Sequence, residues 1–177
     1  MLKIRTAIPA DAPVIAAQRV RMFRDNQLRA VGPWSTLRRR SEQWIAARLR
    51  DGAYVGWIVE DCAQHGRPSA IVGGAGLWVM EWPPHFLHFE PVRGYLLNFY
   101  VAPQARRQGL ATRLVRLALA ECRRREIRLA TLHASTMGRP VYEAMGWNLS
   151  NEMTFRLGVR RTGAEPSGLP TKTKAHR

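Results

Sequence analysis

Leu96-Leu97-Asn98-Phe99-Tyr100-Val101-Ala102-Pro103-Gln104-Ala105-Arg106-Arg107-Gln108-Gly109-Leu110-Ala111-Thr112-Arg113-Leu114-Val115 is the stretch whose reading decides the fold. An apolar run rich in β-formers ends at Pro103, a polar turn follows, and apolar residues at helical spacing run from Ala111 to about Cys122. Strand, loop and helix are expected in that order. The loop brings two arginines and a glycine to the point where the helix begins, so backbone N–H groups without intrahelical partners and fixed positive charge converge on one small volume. That volume suits a phosphate.

Downstream, Ile127 to Ala134 alternates apolar and polar residues like a strand, and two strands flanking a helix predict a parallel crossover. Arg139 to Met145 reads as a short helix closed by Gly146 at C′. Trp147–Leu149 and Met153–Leu157 are expected to form a last pair of strands. From Gly158 the chain holds glycines, prolines, threonines and lysines with hardly any large apolar residue, which predicts a single domain over 1–157 and a basic, disordered tail over 158–177.

Upstream, Leu2 to Arg5 reads as a short strand, and Asp11 is the expected N-cap of a helix running from Val14 to Phe23 or Asp25. Gly32-Pro33-Trp34-Ser35 breaks that helix, and Ser35 is the expected N-cap of a second, which buries Leu37, Trp44, Ile45 and Leu49. Tyr54–Glu60 and Ser69–Met80 read as an antiparallel hairpin turning through Gln64 to Pro68. Within it, Gly74-Ala75-Gly76 lacks the third glycine and following helix of a dinucleotide site, so close backbone approach or a bulge accounts for it. Glu81 to Pro91, with three prolines and several aromatic side chains, is expected to be a binding loop.

Val101-x-Pro103-x-x-Arg106-Arg107-Gln108-Gly109-Leu110-Ala111 resembles the acetyl-CoA-binding signature of the GNAT superfamily of N-acetyltransferases, whose core is Arg/Gln-x-x-Gly-x-Gly/Ala. Ser135 and Gly138-Arg139-Pro140-Val141-Tyr142-Glu143-Ala144-Met145-Gly146-Trp147 are similar to the family's second signature, a helical Tyr followed by a Gly-aromatic pair. The resemblance implies an α/β fold with a central mixed, mostly antiparallel sheet, a splayed parallel strand pair and flanking helices. It implies acetyl-CoA as cofactor, with Arg106, Arg107, Gln108, Gly109, Leu110, Ala111 and Thr112 around the pyrophosphate. Main-chain groups of Phe99, Tyr100 and Val101 would then bond the pantetheine, and Ser135 and Tyr142 would complete the site.

Tyr142 lies where the family keeps the tyrosine that assists the departing thiolate. The family's strand-four carboxylate has no counterpart in Tyr95-Leu96-Leu97-Asn98, and Asn98 can orient a water but cannot take a proton at neutral pH. The base stays open among Glu81, Glu90, His85, His88, His133 and a water chain. No metal is expected, since His85 and His88 share no helix face and no second cluster completes a site.

The formal charge of +15 over 177 residues predicts attraction to anions, through the cofactor, through Arg113, Arg116, Arg123 and Arg124 after the loop, or through Arg38-Arg39-Arg40 drawing an acidic acceptor. A merely solvated face is the simpler reading of the arginines after the loop, and Arg38-Arg39-Arg40 are likewise readable as solvent-facing. Two cysteines form no disulfide framework, the N-terminus lacks an apolar signal core, and no run is long enough to span a bilayer, so a cytoplasmic protein is expected. The partner is an amine-bearing acceptor of a small molecule or peptide, attacked directly in a ternary complex. A homodimer is compatible with the sequence, and a longer acyl group is not distinguished from acetyl. The alternative is a basic nucleic-acid or CoA-binding module on the same scaffold without catalysis; no zinc-ligand, RNP-like or helix-turn-helix pattern supports it.

Overall fold

The computed structural model describes residues 1–62, 69–86 and 89–154. Residues Met1–Trp147 form one compact unit, and all helices and strands among the described residues fall within it. In chain order these are β1 (Leu2–Thr6), α1 (Ala12–Asp25), α2 (Trp34–Arg50), β2 (Tyr54–Asp61), β3 (Ala70–Glu81), β4 (Val92–Val101), α3 (Leu110–Arg124), β5 (Ala130–Leu132) and α4 (Arg139–Glu143). The sheet runs β1-β2-β3-β4-β5, antiparallel through β4, with β5 parallel to β4. This is the mixed sheet expected from the sequence.

Strand alternation sends apolar side chains to both faces. From β2, Trp57 and Val59 pack with Leu77, Leu96, Leu114, Val115 and Ala118 on the α3 side, whereas Tyr54 and Ile58 pack with Ile15, Ala16 and Ile45 on the side of α1 and α2. Helices therefore cover both faces of a sheet that is buried along its middle strands. Among the described residues no helix is long and apolar enough to cross a membrane. No group of three or more His, Cys, Asp or Glu stands together as a metal site among them.

Register is interrupted once between β3 and β4. Gly76 pairs with Leu97 and Gly74 with Tyr100, so Ala75 alone faces both Asn98 and Phe99. Two residues against one is a β-bulge, and Asn98 adopts φ +58° to make it. β4 pairs with β5 only from Gly94–Ala130 to Leu96–Leu132, and pairing stops there. The strand expected over Ile127–Ala134 is consequently just Ala130–Leu132, because beyond Leu132 it has no neighbouring ladder to join.

Other expectations are corrected locally. The second helix starts at Trp34, with Pro33 rather than Ser35 at its N-cap; the Pro33 carbonyl accepts from Thr36 N (3.1 Å) and Leu37 N (3.2 Å). Asp11 does precede α1, but its carboxylate turns back to accept from Ile8 N (2.8 Å) and from both terminal nitrogens of Arg5 (2.7 and 2.8 Å). The Arg5 guanidinium holds the Asp11 carboxyl below its usual range. No strand forms over residues 147–154. The hairpin turn at 64–68, His88, and the chain from 155 onward lie outside the described residues.

Gly76 is required by close approach, since a Cβ there would overlap the ring and hydroxyl of Tyr54, itself 2% exposed. Gly76→Ala is expected to destabilise the fold by about 1–3 kcal/mol, as overpacking of a closed core does. A urea midpoint unchanged from the parent chain would refute this.

Candidate active site

Pro103 begins a 3-10 turn over Pro103–Ala105, after which the chain curls through Arg107 (φ +62°) and Gly109 (φ +71°) into α3. Gly109 occupies the N-cap, and having no side chain it leaves the first turn of α3 uncapped. The first bond back into the turn is from Arg113 N to Gly109 O, 3.0 Å. The donors of Leu110, Ala111 and Thr112 precede it and need partners from outside the helix. All three residues line a cleft of about 410 Å³.

The cleft continues along Phe99, Tyr100 and Val101 of β4, opposite Ser135, Gly138 and Tyr142. This is the space opened where β4 and β5 cease to pair. Of the site residues expected from the sequence, Phe99, Tyr100, Val101, Arg106, Arg107, Gly109, Leu110, Ala111, Thr112, Ser135 and Tyr142 meet around it. Gln108 is in the same loop but not among its walls.

Arg106 does not point freely into the cleft. Its Nε donates to the Val101 carbonyl (2.9 Å) and its Nη2 pairs with Asp25 of α1. The guanidinium thus ties the loop to the end of β4 and to the far helix. Ser135 holds the turn that leads into α4, its Oγ accepting from Gly138 N at 3.1 Å and its carbonyl from Arg139 N at 2.9 Å.

Tyr142 stands edge-on between Phe99 (6.2 Å between ring centres) and Trp147 (5.9 Å). Burial pushes its phenol up to about 12, so the hydroxyl keeps its proton throughout the neutral range. It also borders a second groove of about 560 Å³, which shares Met22, Asn26, Phe99 and Ser135 with the cleft.

Asn98 faces that second groove rather than the cleft, and is only 3% exposed. Its Oδ1 accepts from Arg19 Nη1 (2.6 Å), and its Nδ2 donates to Tyr54 Oη (3.0 Å). Arg19 and Tyr54 carry no local motif and escaped the sequence reading; 79 and 44 residues separate them from Asn98. Of the candidate bases, His133 lines this groove, its Nδ1 hydrogen-bonded to the Tyr95 hydroxyl. Glu90 borders a separate surface groove with Phe86 and Arg125, His85 stacks on Phe86, and Glu81 is exposed at the end of β3.

Gly109 holds a left-handed conformation while a Cβ there would meet nothing within 4 Å. Gly109→Ala should therefore lose about 1–2 kcal/mol of stability through backbone strain alone. Equal denaturation midpoints for the two chains would contradict this.

The model of the acetyltransferase (GNAT) family matches residues 19–147. No curated protein matches. A GCN5-related N-acetyltransferase from Ralstonia eutropha is 35% identical with a TM-score of 0.80, over 89% of this chain and 99% of that one. A predicted acetyltransferase from Clostridium acetobutylicum, solved with acetyl-CoA, is 25% identical with a TM-score of 0.78, over 89% and 96%. An aminoglycoside N-acetyltransferase in complex with CoA shares the fold at 15% identity and a TM-score of 0.63, over 89% and 95%. Uncapped loop, parted strands and edge-on tyrosine thus stand in a chain that belongs to the GNAT family of acetyltransferases.

Proposed function

We propose that this acetyltransferase moves an acetyl group from acetyl-CoA to a primary amine of a small molecule or peptide, by direct attack while both are bound. The observation that carries the reading is the continuity of the cleft with the second groove at Tyr142. The site residues fit the cofactor: unpartnered helix-start donors suit a diphosphate, and an unpaired β4 edge suits the amide-bearing arm. Acetyl-CoA, when bound, supplies an activated thioester.

The roles of the chain's own residues follow from their surroundings. Backbone N–H groups of Gln108 to Ala111 hold the diphosphate, with Gly109 and Ala111 presenting little side chain to obstruct it. Arg107 and Thr112 add charge and a hydroxyl, while Arg106 acts by bracing the loop against Val101 and Asp25. Main-chain groups of Phe99 to Val101 orient the arm, and an N–H there polarises the acyl oxygen. The Tyr142 Oη–H donates to sulfur as negative charge gathers on it.

His133 takes the amine's proton at Nε2 while its Nδ1–H donates to Tyr95 Oη, and its exposed position passes that proton on to solvent. Asn98 serves as a positioning residue, holding Arg19 and leaving its second amide hydrogen to orient a water in the groove.

Thermal melting tests the reading. Acetyl-CoA at 100 times its Kd should add about 2.7 kcal/mol of stability. Duplex DNA should add none; stabilisation by DNA alone would instead favour a nucleic-acid module. Tyr142→Phe is expected to lower kcat by about 100-fold with acetyl-CoA binding unchanged, and a loss under twofold would remove the phenol from the mechanism. His133→Gln should lower kcat/KM by about 100-fold with acetyl-CoA binding unchanged; a loss under twofold would point to another base.

A further inference from the structure

Arg19 lies on the wall between two connected spaces. It lines the groove beside Tyr142 together with Phe23, Tyr95, Leu97 and His133. It also lines a recess of about 320 Å³ with Arg40, Trp44 and Trp78, and the two spaces share Leu97 and Asn98. The rings of Trp44, Trp78 and Tyr95 meet edge-to-face in sequence, at 5.2 and 6.5 Å, so an aromatic wall runs from the recess toward His133.

The Arg19 guanidinium is half-buried, and every partner it has among the described residues is neutral. Nη1 donates to the Asn98 carbonyl oxygen, and the Phe23 ring lies under the charge at 4.7 Å. Tyr54, pushed up to about 12 by burial, remains an uncharged phenol and supplies no counter-ion. Among the described residues no carboxylate pairs with Arg19, and no Asp or Glu lines either space. Burial accordingly pushes Arg19 below its ordinary range, although an arginine stays charged.

A cation withdrawn from water without an opposite charge is unfavourable. Here one Nη1–H is engaged by Asn98, and the remaining hydrogens of the fork match the paired oxygens of a carboxylate or a phosphate. Arg40, exposed at the recess, adds a second positive charge to the same wall.

Resting on the reading of this groove as the acceptor side, we propose that the acceptor is an amine bearing an anionic group, a carboxylate or a phosphate, which pairs with Arg19 while its amine faces Tyr142 and His133. Polycationic amines are disfavoured by the same arrangement. The likeness to an aminoglycoside acetyltransferase therefore extends to the scaffold and not to the acceptor.

Tryptophan fluorescence reads binding without turnover, because Trp44 and Trp78 line the recess. The probes are aliphatic and aromatic amino acids, each against its own carboxamide, with 2-aminoethyl phosphate against ethanolamine, and spermidine as the polycation. Each is titrated with and without CoA. At least one anionic series should bind about 10- to 100-fold more tightly than its neutral counterparts, and whichever series does so distinguishes carboxylate from phosphate. Arg19→Gln should erase that preference, Arg19→Lys should restore part of it, and the exposed Arg40→Gln should reduce it less. With acetyl-CoA present, the same ranking should appear in kcat/KM, with Arg19→Gln acting through KM.

Equal or absent preference in the parent chain overturns the proposal, as does tighter binding of spermidine, or a preference that survives in Arg19→Gln. Calorimetry with acetyl-CoA separates the two readings: no heat of binding defeats the transferase reading, while the fluorescence ranking still decides whether Arg19 selects an anion.

Discussion

The bulge at Asn98–Phe99 is the constraint from which the site's geometry descends. A regular strand would send Leu97 and Asn98 to opposite faces. Instead both serve the face of α1 and α2, Leu97 in its core and Asn98 on Tyr54 and Arg19. The same irregularity begins where β4 stops pairing with β5. One extra residue thus opens an edge of the sheet and turns a polar side chain into the groove beside that opening.

Such an irregularity persists only when its surroundings hold it. Asn98 tolerates the left-handed region better than most residues because its short amide can bond locally. Here that amide is fastened at both ends, to a guanidinium and a phenol. Glycines in β3 let the backbones and Tyr54 come close on the opposite side, where a Cβ on Gly73 would stand 2.8 Å from the Tyr100 carbonyl. Packing from both sides leaves β4 little freedom to straighten.

What was legible in the sequence depended on how local its cause was. Helix spacing after Gly109 and the apolar run before Pro103 are each written within a few residues, and each element forms close to its expected position, whereas the short helix expected over Arg139–Met145 ends at Glu143, with Ala144 at its C-cap and Gly146 (φ +87°) two residues beyond. The residues meeting around the cleft were legible for the same reason, since a turn and a helix start are local events. Ser35 has the side chain of a capping residue, but the fixed φ of Pro33 sets the helix start two residues earlier than a Ser35 cap would. Arg19 carried no signal at all. Its significance comes from Asn98, 79 residues further along the chain, and from surroundings that hold no carboxylate among the described residues, and neither fact is visible along the chain.

The two halves of the site are consequently built from different material. Around the loop and the end of β4, the proposed recognition uses backbone donors, for which many side chains will serve; a short pattern of glycine and small residues is enough to specify it. Around Arg19, the proposed recognition uses side chains contributed by α1, α2, β3 and β4, whose chemistry can change while the fold stays the same. Shared architecture therefore carries the family's reaction into this chain without carrying any relative's acceptor. Among the described residues no acidic side chain lines that second half; one placed there would neutralise Arg19 from within, and on the proposed reading it is the acceptor that meets the charge.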